Sequence, residues 1–366
     1  MSNATSSRVA VGIMTGTSLD AVDACGIQVQ GHGLAMTVDY LASASTSLES
    51  LAEPLRALAE DIPMPASEIA QLRRALGELC GEAISSLELD TIDLIAAHGQ
   101  TVHHSPPDSW QLIDPFPIAQ RFGARVATDL RGLDRAAGGG GAPITPLADW
   151  ILHRGNTGRV IMNLGGFINC TMLPPTDANE PLKLLQGFDA CPCNHLLDAV
   201  ARIALNTPYD EGGALALSGT PCLETMHMIS HHLLSLHAQA RSLGSGDECI
   251  AFVPDIIQNI GPADAAATFC GAIAATMAMI LKDASTDIVL LAGGGTRNAA
   301  LTDALSSSLG DSMTVGHLPH GDDREAASMA VLAALAEDDV PITLPQITGR
   351  NRTHVRDGTW VLGHGM

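Results

Sequence analysis

Apolar positions along the chain follow two different periods. Residues 8–14 (RVAVGIM), then CGIQVQG and LAMTVDYLASAS, are short runs rich in apolar and β-branched residues. They predict a three-stranded meander whose first turn is TGTS. Over 47–60 and 66–88 the spacing becomes helical, with Leu48, Leu51, Leu55 and Leu58 in one stretch and Ile69, Leu72, Leu76 and Leu79 in the next. An apolar strand, IDLIAA, then runs into HGQT, and ARVATDL at 124–130 predicts another strand.

The second half repeats this grammar. RVIMNL at 159–164, the turn GGF and INCTML at 168–173 predict a hairpin with a glycine turn, followed by strand-like LKLLQGFD and the helix NHLLDAVARIAL. A helix at 263–282, the buried strand DIVLLAGGG, a helix beginning near Asn298, the strand MTVGHL and the helix DREAASMAVLAALAE complete it. We therefore expect a duplicated α/β fold in which two turns face each other across a cleft. The segment AAGGGGAPITP at 136–146 is the expected crossing, since a glycine run with prolines suits neither a helix interior nor a central strand. The expected domains are 1–135 with about 345–366, and 136–344.

Composition narrows the function. A chain of 366 residues with 46% hydrophobic content has material for two cores. Its net charge of −21 repels nucleic acid and anionic lipid. Aromatics make up only 3% of the chain, too little material for base-stacking platforms, and any sugar pocket must work mostly through polar groups and backbone. Eight cysteines spread through the length read as reduced thiols rather than a disulfide scaffold. The N-terminus lacks a basic leader followed by a long apolar stretch, and CGAIAATMAMIL is too short to span a bilayer, so a soluble cytoplasmic protein is expected.

Three turns carry the candidate chemistry. In MTGTSLDAVDA, Gly16, Thr17 and Ser18 offer backbone N–H groups and hydroxyls to an anion, and Asp20 can hold Mg²⁺ through water. Taken alone, the same residues also suit an ordinary hairpin turn. MNLGGFIN places Gly165 and Gly166 at the corresponding turn of the second half. In LLAGGGTRNAAL a buried strand runs into Gly293, Gly294 and Gly295, where missing side chains let a flat base or ribose approach the backbone. In this order the three resemble the actin-, hexokinase- and Hsp70-like ATPase superfamily; the chain has neither a Walker A pattern nor a kinase-type glycine loop with its Lys.

The motifs GIMTGTSLDAVDA, AAHGQTVHH, DLRGLDRAAGGGGAPITP, IMNLGGFIN, QGFDACPCNHLLDA, LAGGGTRNAAL and DREAASMAVLA resemble, in order and spacing, the anhydro-N-acetylmuramic acid kinase family. The resemblance runs from Val9 to near the C-terminus. It implies a duplicated ribonuclease H-like fold, with ATP and Mg²⁺ as cofactors and a homodimer. The implied reaction opens the 1,6-anhydro bridge of a muramyl sugar with water and phosphorylates O6, yielding N-acetylmuramic acid 6-phosphate in cell-wall recycling. Levoglucosan kinases are similar in fold and motif, so another anhydro sugar stays open as the substrate, as does an impaired nucleotide- or sugar-binding homologue.

Carried over by resemblance, Asp189 matches the general base that takes a proton from the attacking water; an N-cap for the helix from 194 is its structural alternative. The nucleotide site implied is Gly16, Thr17, Ser18, Leu19, Asp20, Ala21, Val22 and Asp23, with Gly165, Gly166, Gly293, Gly294, Gly295 and Asn298. His98, Gln100, Thr101, Arg131 and Glu325 are implied to face the sugar. Each has an ordinary alternative: a structural histidine for His98, a surface cation for Arg131, a first-turn acid favoured by the helix dipole for Glu325.

The chain departs from the family pattern in two main places. Cys191-Pro192-Cys193-Asn194 stands where relatives read Gly-Pro-Gly-Asn, which is expected to impose a different backbone after the base and to limit turnover. HAQARSLGSGDECIA stands where a Lys-Ser-Thr-Gly-Arg-Glu stretch is common. Ala21 replacing a glycine is milder. Cys191, Cys193 and His195 also admit a metal site or simply two reduced thiols, and the histidines at 227, 231, 232 and 237 read as surface composition.

Overall fold

The computed structural model describes residues 7–16, 19–239, 243, 246–310, 313–351 and 356–363. It divides into two units, Met1–His153 with Asp323–Met366, and Arg154–Asp322. In the first, β1 (Ser7–Thr15), β2 (Ala21–Gln30) and β3 (Thr37–Ser47) form the expected antiparallel meander. β4 (Leu94–Ala97) adds parallel to β1; after the hairpin β5 (Gln100–Ser105) and β6 (Asp108–Leu112), β7 (Arg125–Thr128) adds parallel to β4.

The burial of each strand follows its composition. β4, Leu-Ile-Ala-Ala, is buried at every position, as a strand covered on both faces requires, whereas β3 alternates between exposed and half-buried residues. The alanine-rich helix Arg324–Glu337 lies directly on β1. Gly12 makes this approach possible: a Cβ there would strike the Ala326 carbonyl.

The second unit repeats the order. β8 (Arg159–Leu164), β9 (Phe167–Leu173) and β10 (Gln186–Pro192) form a meander, then β11 (Ile288–Ala292) lies parallel to β8 and β12 (Thr314–His317) parallel to β11. The sheets run β3-β2-β1-β4-β7 and β10-β9-β8-β11-β12, the same 3-2-1-4-5 path twice, which is the duplicated ribonuclease H-like topology. β13 (Thr359–Val361) extends the first sheet antiparallel to β7. Helix Pro262–Ile280 has 19 residues and is long and apolar enough to cross a membrane, longer than the apolar run suggested. Ala265, Phe269, Ile273 and Met277 along it are buried in the second unit's core, so it serves as a core helix.

The division corrects the expected boundaries. The glycine run does not leave the first unit, because Asp134 holds it there. This fully buried carboxylate accepts from Gly141 N at 2.8 Å, Thr343 Oγ1 at 2.5 Å and Thr348 Oγ1 at 2.7 Å. Gly140 N donates to Thr348 O and Asn351 N to Ala137 O, so 136–153 and 323–344 both belong with the N-terminal residues. The chain passes between units at 153–154 and again at 322–323.

Candidate functional site

In the second unit the glycine turns converge. The β8–β9 turn supplies Gly165 O and Gly166 O as acceptors for Asn194 N at 3.1 Å and Cys193 N at 2.8 Å, fixing the start of helix Asn194–Leu205. Asn194 Nδ2 donates to Leu164 O at 3.0 Å. Gly293, with φ of 82°, sits so tightly against this turn that a Cβ would strike Asn163 Oδ1, and one on Gly295 would press on Leu164. A Cβ on Gly294 would meet nothing, so its backbone faces open space. Asn298 is the N-cap of helix Ala299–Leu309, its Oδ1 accepting from Leu301 N at 3.1 Å.

Asp189 does not stand between a strand and a helix, as its sequence context suggested; it lies within β10, an edge strand. A β-bulge separates it from Cys191, and such irregularities re-aim side chains. The N-cap of the following helix is Cys193, which removes the capping alternative. Asp189 Oδ2 accepts from Leu243 N at 2.9 Å. Burial pushes its carboxyl above the ordinary range, and the Leu243 hydrogen bond opposes that shift.

In the first unit His98 directly follows β4 and Gln100 opens β5, both almost wholly buried. Neither ring nitrogen of His98 nor Gln100 Oε1 has a hydrogen-bond partner among the described residues. Burial, then the charge of Arg131, hold His98 well below the usual histidine range, so the ring is neutral. Arg131 is no surface cation: Nη1 donates to Gly141 O at 2.6 Å, and burial lowers its pKa to about 10, against the pull of Glu325. Glu325, in the first turn of helix Arg324–Glu337, is raised by burial and opposed by Arg324. Arg324 is itself buried and paired with Asp149 at 2.8 and 2.6 Å. Thr101 Oγ1 accepts from Gln111 Nε2 at 3.3 Å. The five residues implied to face the sugar thus fall in one unit, where the charge of Arg131 acts on both His98 and Glu325.

At the β1–β2 turn, Leu19 N donates to Gly16 O at 3.3 Å and Leu19 itself has φ of 56°. Thr17 and Ser18 lie outside the described residues. The side chains of Leu19 and Val22 are core, Ala21 opens β2, Asp20 is exposed, and Asp23 accepts from Ser45 Oγ at 2.7 Å. Neither the Leu19 nor the Val22 side chain is open to a ligand.

The sequence profile of anhydro-N-acetylmuramic acid kinase matches residues 8–360. The chain belongs to the anhydro-N-acetylmuramic acid kinase family. Relatives of that name are 32% identical in Acaryochloris marina, over 93% of this chain and 96% of the relative, and 28% identical in Bacillus thuringiensis, over 94% and 97%. The solved (R)-2-hydroxyglutaryl-CoA dehydratase component A of Acidaminococcus fermentans is 12% identical, covering 89% of this chain and 98% of its own, with a TM-score of 0.44.

Within this family member the departures look different from their sequence reading. Cys191 and Cys193 are fully buried in the second unit's core, neither has a positive φ, and burial pushes both thiols up. They pack as small apolar side chains. His195 stacks edge-on against Phe167 at 4.8 Å. Among the described residues no group of three or more His, Cys, Asp or Glu is placed to hold a metal. The sequence reading missed His237, whose Nδ1 lies 3.3 Å from Asp189 O and whose ring packs on Phe188, and it missed Leu243. Both belong to the stretch HAQARSLGSGDECIA, which contacts the candidate base through them.

Proposed function

We propose that this anhydro-N-acetylmuramic acid kinase couples two steps at one sugar. Water attacks C1 of the 1,6-anhydro bridge while Asp189 accepts its proton; the C1–O6 bond breaks, and O6 takes the γ-phosphoryl group of ATP, releasing ADP. The observation that carries this reading is Asp189, a largely buried carboxylate beside a register shift in β10 that caps no helix. In this reading neutral His98 with Gln100, Thr101, Arg131 and Glu325 recognises the sugar. The backbone of Gly16, the β8–β9 turn and Gly293–Gly295 receive the nucleotide. Bound Mg²⁺ supplies charge neutralisation at the phosphates, and exposed Asp20 suits a water-mediated contact, since such an ion needs only one or two protein carboxylates beside the phosphates. Thr17 and Ser18 are proposed as phosphate contacts from sequence alone, and a cytoplasmic homodimer is the proposed working form.

The test is incubation with MgATP and anhydro-N-acetylmuramic acid in ¹⁸O-water, with levoglucosan in parallel. The expected product carries ¹⁸O at C1 and an unlabelled phosphate on O6. Label in the phosphate, or turnover of levoglucosan alone, overturns the reading.

A further inference from the structure

The first unit contains a cavity of about 300 Å³ that none of the roles above uses. It opens beside β6, the end of β7 and β13, and Trp110, Phe116, Gln111, Asp129, Arg135 and Arg73 line it. Trp110, Phe116 and Tyr209 are the strongly exposed Trp, Phe or Tyr side chains among the described residues, and two of the three line this one cavity. Exposed aromatic surface of this kind is costly to leave in water, and it matches ligands with an apolar face.

The polar lining has both hydrogen-bonding senses. Gln111 Oε1, an acceptor, and Arg135 Nε, a donor, are buried atoms with no hydrogen-bond partner among the described residues. The charges cancel locally: Arg73 faces Asp114 at 3.4 Å and Arg135 faces Asp129 at 3.8 Å. A balanced lining gives a phosphate or carboxylate no net attraction. It suits a neutral ligand that both donates and accepts and has one apolar face, and a pyranose ring meets all three requirements.

We propose that this cavity is a second carbohydrate site, distinct from the phosphoryl-acceptor site, that takes a neutral pyranose. Gln111 links the two, because its Nε2 donates to Thr101 Oγ1 while its Oε1 remains for the second ring. The site stands on the lining alone and does not rest on the kinase mechanism.

The full-length protein is titrated with methyl β-glucopyranoside, methyl N-acetyl-β-glucosaminide and inorganic phosphate. Calorimetry and tryptophan fluorescence are followed, each with and without saturating anhydro-N-acetylmuramic acid. Saturable binding of a pyranoside is expected, persisting when the anhydro sugar is saturating. It should be weakened about tenfold by Asp129→Asn and by Trp110→Ala. If Trp110→Ala lowers the melting temperature, Trp110→Phe should keep calorimetric binding and lose the fluorescence response. Binding of phosphate in place of the pyranosides, competition by the anhydro sugar, or no saturable binding overturns the proposal, and none of these readings depends on turnover.

Discussion

The backbone N–H of Leu243 donates to the carboxylate of Asp189 at 2.9 Å across 54 residues of sequence. The contact ties one oxygen of the candidate base to a segment far along the chain. It also stabilises the ionised form against the burial that pushes the carboxyl up.

Asp189→Asn keeps the shape and an oxygen acceptor for Leu243 but removes the proton acceptor. We expect kcat to fall by at least about a hundredfold with sugar and MgATP affinities retained. Because the raised carboxyl must ionise to act, the wild-type rate should rise with pH through an acid limb above the ordinary Asp value of about 3.9. Steady-state kinetics over pH decides, and full activity in the Asn variant would sink the assignment.

Cys191→Gly with Cys193→Gly should not raise kcat. Both side chains fill core volume, so their loss should cost at least about 2 kcal/mol of stability in urea unfolding. A faster enzyme with an unchanged unfolding midpoint would restore the view that this loop limits turnover.

His98→Leu removes a buried ring whose nitrogens have no hydrogen-bond partner among the described residues. The melting temperature is expected to hold or rise, while KM for the anhydro sugar increases about tenfold or more. An unchanged KM would return His98 to a structural role.

Asp149→Ala leaves buried Arg324 without its bidentate partner, and a loss of about 3–5 kcal/mol is expected. Asp149→Leu combined with Arg324→Met should recover most of it. Equal instability of the single and double variants would show that the pair is not the source.

Legibility in the sequence tracked the range of the interactions. RVIMNL and NHLLDAVARIAL became β8 and helix Asn194–Leu205 at the expected residues because local apolar periodicity defines them. LKLLQGFD was half right, since Pro181 starts a short helix and the strand begins only at Gln186. The β5–β6 hairpin was missed: QTVHHSPPDSWQL is polar, and its two prolines interrupt any alternation. The glycine run at 136–146 reads as a crossing because nothing near it hints that Asp134 meets Thr343 and Thr348, 209 and 214 residues away. Likewise, His237 looked like surface composition until β10 placed Phe188 and Asp189 against it.

The discontinuity of the first unit has a consequence for synthesis. Helix Arg324–Glu337 covers Gly12 of β1, and β13 pairs with β7, so a sheet begun before residues 154–322 is finished only by residues that follow them. Residues 154–322, in contrast, are contiguous and can close their own core while the first unit still waits. The first unit therefore cannot complete its core before the chain has passed Arg324, and a chain stopped short of it leaves the earliest strands uncovered.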